Sequence, residues 1–127
     1  MGKLRKILIV DDEEDLRKTL CEFLEEKGYK TVEAQNGEEA IEKVNENGFQ
    51  IIFMDIKLPG MNGTDTYKAI KKIDVKAKTV MMTGYAVENL VNEAIENNAH
   101  CCLYKPFELR QVLTTIEQIS AGDEKPG

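Results

Sequence analysis

The chain has 127 residues, 23 of them acidic and 17 basic, which gives a formal net charge of −6 and an isoelectric point near 4.9. This length fits one domain with a true core, while the acidic balance argues against a nucleic-acid-binding surface, which needs clustered lysine and arginine. No apolar run approaches the ~18 residues that span a bilayer, so no membrane contact is expected, and an apolar strand-like run by Ile7 leaves no room for a signal peptide. The cysteines are Cys21, Cys101 and Cys102, an odd set with two adjacent. That pattern suits buried reduced thiols in a cytoplasmic protein better than a disulfide framework or a zinc site.

Lys6 to Val10 is an apolar run that ends at Asp11-Asp12. Leu16, Leu20, Phe23 and Leu24 follow at the three- and four-residue spacing of a helix with one buried face, and Gly28 supplies its stop. Tyr29 to Ala34 predicts a short strand nearer a sheet edge, because polar Lys30, Thr31 and Glu33 interleave it. Asn36, with Glu39 three positions on, predicts a capped second helix that carries Ala40, Ile41 and Val44 and ends near Asn47-Gly48. The run Ile51-Ile52-Phe53-Met54 then meets Asp55, and Pro59-Gly60 turns the chain. Tyr67, Ile70 and Ile73 mark a third helix over roughly residues 64–73. Thr79 to Met82 is a fourth strand, ending at Thr83-Gly84. Val87, Leu90, Val91, Ala94 and Ile95 mark a fourth helix, and Cys101 to Tyr104 a fifth strand that ends at Lys105-Pro106-Phe107. Leu109, Val112, Leu113, Ile116 and Ile119 mark a fifth helix. Residues 1–120 are expected to form one domain, with 121–127 a flexible tail rich in glycine, proline and charge.

Five strands alternating with five helices imply a doubly wound α/β sandwich, a parallel sheet with right-handed crossovers and helices on both faces. In such a sheet the carboxyl ends of the strands share one edge, where ligands bind. Asp11, Asp12, Asp55, Thr83 and Lys105 all stand at strand ends of this kind. Clustered carboxylates raise one another's pKa unless a cation intervenes, and oxygen-only ligands in an open cleft suit Mg²⁺. The hydroxyl of Thr83 and the ammonium of Lys105 suit phosphoryl oxygens. The set therefore reads as a carboxylate nucleophile, a divalent metal and two phosphate-oxygen partners. Taken singly, each has a plainer reading: Asp55 or the Asp11-Asp12 pair as turn or helix caps, Thr83 as structural, Lys105 as a solvated charge. The coincidence of four strand ends carries the functional one.

The segments Ile-Leu-Ile-Val-Asp-Asp-Glu (7–13), Met-Asp-Ile-Lys-Leu-Pro-Gly-Met-Asn-Gly (54–63), Met-Thr-Gly-Tyr (82–85) and Lys-Pro-Phe (105–107) carry a family resemblance. From Lys6 to Ile119 the chain resembles the response-regulator receiver domains of bacterial two-component signalling. The resemblance implies a flavodoxin-like fold whose five-stranded parallel sheet has the order 2-1-3-4-5. It implies Asp55 as the phospho-acceptor and Asp12 as a direct ligand of Mg²⁺ (or Mn²⁺), with Asp11 orienting metal-bound water. Asp55 and the backbone carbonyl of Lys57 complete the implied protein ligands, while Thr83 and Lys105 engage phosphoryl oxygens. A cis bond between Lys105 and Pro106 is implied as well, aiming the lysine at Asp55.

The implied donor is a sensor histidine kinase or a histidine phosphotransfer protein, and the implied signalling face combines the fourth helix, fifth strand and fifth helix. A phosphorylation-dependent homodimer, and an output domain or effector outside these residues, both stay open. So does control of transcription through such a partner. The chain is not expected to be an enzyme beyond its own Mg-dependent phosphorylation and slow autodephosphorylation. One departure stands out: the family often carries an aromatic switch residue three positions before the lysine, and here that place is Cys102. Tyr104 shares the strand face of Cys102 and either takes part of the aromatic role or is a partly buried strand residue. Lys57 and Tyr85 flank the expected phosphate site and either hinder attacking water, lengthening the life of the phospho-aspartate, or are solvated loop residues. His100 has no assigned role.

Two other function classes compete. A metal-dependent phosphatase with an aspartyl nucleophile wants a second aspartate two positions later, where Lys57 stands. A flavin carrier or unphosphorylated interaction module fits poorly too, because the turn Asp11-Asp12-Glu13-Glu14-Asp15 repels a cofactor phosphate and the acceptor set is complete.

Overall fold

The computed structural model describes residues 6–74, 76–83, 101–105 and 107–124, the side chains of 101, 102 and 121–124 excepted. Each expected strand forms: β1 (Lys6–Val10), β2 (Lys30–Ala34), β3 (Ile51–Asp55), β4 (Lys78–Thr83) and β5 (Cys101–Tyr104). All pairings are parallel, in the order β2-β1-β3-β4-β5. This is the doubly wound, flavodoxin-like sheet expected from the alternation and the resemblance. β3 is central and buried along its whole length, whereas the edge strand β2 is mostly only partly covered.

Side chains of a strand alternate between the two faces of its sheet, and that alternation sorts the core into two layers. On one face Leu8, Val10, Ile52, Met54 and Met81 pack with Ala40 and Val44 of α2 (Gly37–Glu46) and with Tyr67 and Ile70 of α3 (Gly63–Ile73). On the other, Ile7, Ile9, Phe53, Val80 and Met82 meet Leu20 and Leu24 of α1 (Glu14–Glu26). Val112, Ile116 and Ile119 of the C-terminal helix (Leu109–Glu124) complete that second layer. Complete burial of a side chain such as Phe53 stabilises by roughly 1.5–3 kcal/mol.

Local signals set the element ends. Gly28 takes a φ of +95° after α1, a conformation open to glycine at little cost. Asn36 caps α2 by accepting the Glu39 N–H at 2.8 Å, and Glu39 reaches back to the N–H of Gln35 at 3.3 Å, one residue before the cap. The buried face of α1 is rotated from the expected one: Arg17 and Cys21 lie inside with Leu20 and Leu24, while Leu16 and Phe23 are only partly buried. The C-terminal helix runs through Glu124, five residues past the last apolar position of its stripe, Ile119. The helix expected over Val87–Ile95 lies outside the described residues, as do Tyr85, His100 and Pro106. Among the described residues no helix is long and apolar enough to cross a membrane.

Candidate functional site

Asp55 closes the central strand and is 5% exposed. Its Oδ1 accepts the Lys57 N–H at 3.1 Å, so the residue that turns the chain out of β3 also solvates the carboxylate. The Ile56 N–H continues the ladder to the Met82 carbonyl at 2.9 Å, and the Gly63 N–H folds the following loop back onto the Ile56 carbonyl at 2.7 Å. This close approach requires glycine: a Cβ at Gly63 would collide with the Asp55 carbonyl oxygen and lie 2.7 Å from the Ile56 Cα. Within the loop Gly60 takes a φ of +79°, again a glycine conformation. The Asn62 side chain then caps α3 by accepting the Asp65 N–H at 2.9 Å.

Asp11 follows β1 and is completely buried. Its N–H donates to the Ala34 carbonyl at 3.1 Å, its Oδ1 accepts the Glu13 N–H at 2.8 Å, and its carbonyl accepts an Arg17 guanidinium N–H at 2.8 Å. Asp12, the next residue, is exposed. Oxygens of Asp11, Asp12 and Asp55 all lie within 4.8 Å of one another.

Into this group comes Lys105, although 94 positions separate it from Asp11. Its backbone N–H donates to the Thr83 carbonyl at 2.7 Å, which fastens the end of β5 to the end of β4. Its Nζ donates to Asp11 at 2.8 Å, to Glu13 at 3.2 Å and to Asp55 at 3.2 Å. Burial works against the ammonium, but the hydrogen bond to Asp11 and the charges of Asp55, Asp11 and Glu13 outweigh it and hold the lysine above its usual range. Burial, reinforced by the neighbouring Asp11, pushes the Asp55 carboxyl up to about 6 despite the opposing pull of Lys105 and the Lys57 N–H. At neutral pH Asp55 is therefore mainly ionised, while remaining short of the solvation a carboxylate prefers.

Four carboxylates (Asp11, Asp12, Glu13, Asp55) thus face one ammonium at this edge. The three aspartates present oxygen-only donors, and one of them opens to solvent. That donor set fits a hard divalent cation, since Lys105 neutralises only part of the charge. The structure thus brings Asp11, Asp12, Asp55 and Lys105 together, with Thr83 buried at the neighbouring strand end. The Lys57 side chain is exposed. Tyr104 is 62% exposed and not partly buried, because it ends the edge strand β5. The Cys102 side chain, Tyr85 and the Lys105–Pro106 bond lie outside the described residues. Three contributors escaped the sequence reading: Glu13, Arg17 and Gly63. The Asn62-Gly63 pair ahead of α3 was a visible signal for the last, while Arg17 and Glu13 look like ordinary solvated charges in a helix start.

Comparison with known proteins agrees with this geometry. A family model described as the response regulator receiver domain matches residues 7–117. The chemotaxis protein CheY of Thermotoga maritima is 39% identical over 121 residues, covering 94% of this chain and 99% of that protein. A CheY-like response regulator receiver domain protein of Methanospirillum hungatei superposes with a TM-score of 0.92 at 30% identity, covering 98% of this chain and all of that one. A response regulator of Burkholderia pseudomallei, solved with a phosphorylated aspartic acid, a calcium ion and citrate, gives a TM-score of 0.81 at 26% identity, covering 94% of this chain and 73% of that one. With the family model spanning all five strands and the acidic edge between them, the chain belongs to the response regulator receiver domain family, the switches of two-component phosphorelays.

Proposed function

We propose that the chain is a switch that accepts a phosphoryl group on Asp55 from a phosphohistidine of a sensor kinase or phosphotransfer protein. The observation that carries this reading is the Asp55 carboxylate itself: ionised near neutrality, poorly solvated, and already touched by an ammonium, that of Lys105. A carboxylate held this way is a competent nucleophile. An Asp55 oxygen forms the new bond to phosphorus while the P–N bond of the donor breaks, its electron pair staying on the donor imidazole. Asp11, Asp12, Asp55 and the backbone carbonyl of Lys57 would hold a Mg²⁺ (or Mn²⁺) ion. When bound, the ion supplies positive charge against the transferring phosphoryl oxygens.

Lys105 follows the charge. Its Nζ leaves the Asp55 carboxylate for a phosphoryl oxygen, and the Thr83 hydroxyl takes another. Because the Lys105 N–H is bonded to the Thr83 carbonyl, a shift of either moves the joined ends of β4 and β5. β5 and the C-terminal helix, with the fourth helix expected from the sequence, are then the surface offered to an effector or output domain. Slow loss of the phosphoryl group resets the switch, with Lys57 and Tyr85 hindering water. The buried, free Cys21 thiol is compatible with work in the reducing cytoplasm.

Incubation with Mg²⁺ and acetyl phosphate tests the reading by intact mass. One labile phosphoryl group per chain is expected, with none in Asp55→Asn; an unlabelled wild type, or equal labelling of the variant, overturns it.

A further inference from the structure

We infer that Arg17 is a positioning residue for the Asp11-Asp12 pair, and that Glu33 holds it to that task. Its side chain is 10% exposed, unusual for an arginine in the first turns of a helix. Two bonds occupy it: Nη1 donates to the Asp11 carbonyl and Nε to Glu33 Oε1, each at 2.8 Å. The carbonyl it grips belongs to the peptide joining Asp11 to Asp12. A rotation of that peptide would swing Asp12, the exposed carboxylate of the cluster, relative to buried Asp11 and Asp55. The Asp11 N–H is fastened to β2 at Ala34, and Arg17 holds the carbonyl of the same residue from the side of α1. Glu33, one residue before Ala34 on β2, neutralises the guanidinium without drawing on the aspartates. The cation is thereby spent on a carbonyl and a remote carboxylate, and it does not compete for the aspartate side-chain oxygens.

Arg17's role rests on Asp11 and Asp12 being metal ligands, and the test separates the two ideas. Mn²⁺ is titrated into the whole chain, with the free ion followed by electron paramagnetic resonance and folding by urea. Wild type is expected to bind one ion and Asp12→Ala to lose it. If wild type binds none, or Asp12→Ala binds equally, the ligand reading fails, and Arg17's role with it. Where binding holds, the paired variant Arg17→Met/Glu33→Met is expected to bind Mn²⁺ about 10–100-fold more weakly. It should stay folded, since an apolar pair replaces an ion pair whose glutamate is already partly exposed, at little cost. Saturating Mn²⁺ is expected to restore the labelling rate by acetyl phosphate to within about twofold of wild type, a loss in affinity and not in maximal rate. A folded paired variant with wild-type affinity overturns the inference. Should it not fold, Arg17→Lys decides: an ammonium lacks the planar fork that presents Nη1 to the Asp11 carbonyl and Nε to Glu33, so weaker binding supports the role and unchanged binding overturns it.

Discussion

At the amino edge of the sheet, β1, β2 and β4 start on Lys6, Lys30 and Lys78. Lys30 and Lys78 are exposed, and Lys6 meets the Asn47 side chain at 2.7 Å and lies 5.8 Å from the centre of the Phe49 ring. At the carboxyl edge, β1 and β3 run into buried aspartates, and one ammonium touches three carboxylates. Both edges carry charge, but the first carries solvated lysines and the second buried carboxylates around one ammonium. Unit charges 4 Å apart interact by about 1 kcal/mol in water and about 4 kcal/mol where the effective dielectric constant is near 20. Charges at the first edge are therefore dispensable, while those at the second depend on one another. Interdependence of that kind is what a site needs if a change of charge on one residue is to move its neighbours.

Removing the shared cation should break this contrast most severely. Lys105→Ala is expected to lose about 3–5 kcal/mol at pH 7 by urea unfolding, because it leaves buried carboxylates without a partner. Lys6→Ala should lose under ~1 kcal/mol. The Lys105 deficit should shrink toward pH 5, as Asp55 takes up the proton that its raised pKa of about 6 already favours. Equal losses at the two edges would refute the contrast.

The glycines give the next largest effect. Gly63→Ala drives a methyl into the backbone of Asp55 and Ile56, and about 3 kcal/mol of destabilisation is expected. Gly48, beside the amino edge, has open space around its added Cβ, and Gly48→Ala should change stability by less than ~0.5 kcal/mol.

Asp55→Asn should act with the opposite sign. A carboxyl whose folded pKa lies above its ordinary 3.8 stabilises the fold when protonated, and that contribution is lost as pH rises through about 6. The metal-free amide variant is therefore expected to be more stable than wild type at pH 7 by roughly 1–3 kcal/mol, the gap closing by pH 4. A gap that is absent at pH 7, or that widens on acidification, would show that burial does not dominate at Asp55. Lys30→Ala and Lys78→Ala should have the smallest effects, within ~0.5 kcal/mol of wild type.

Much of the fold was written in local pattern. The four-residue run Ile51–Met54 could be satisfied only in a strand covered on both faces, and Asn36 with Glu39 marked a helix start that the backbone then used. The convergence of strand ends was equally legible, because parallel strands of similar length must finish along one edge. What stayed hidden were contacts that depend on helix rotation and loop closure. Arg17 sits at helical spacing from Leu20, Cys21 and Leu24, but its charge argued for solvent until Glu33 and the Asp11 carbonyl were brought to it. Gly63 needs to be glycine only because the loop after Asp55 doubles back on β3. Tyr104 was misjudged because alternation says which face a side chain takes, not whether anything covers it.

The contrast between the edges comes down to which carboxylate reacts. After phosphorylation with acetyl phosphate and Mg²⁺, borohydride reduces an aspartyl phosphate to homoserine, and peptide mapping locates it. Reduction confined to position 55, with Asp11 and Asp12 intact, is the expected result. Homoserine at position 11 or 12, or a fully phosphorylated chain with Asp55 unmodified, would contradict the assignment of Asp55 as the acceptor.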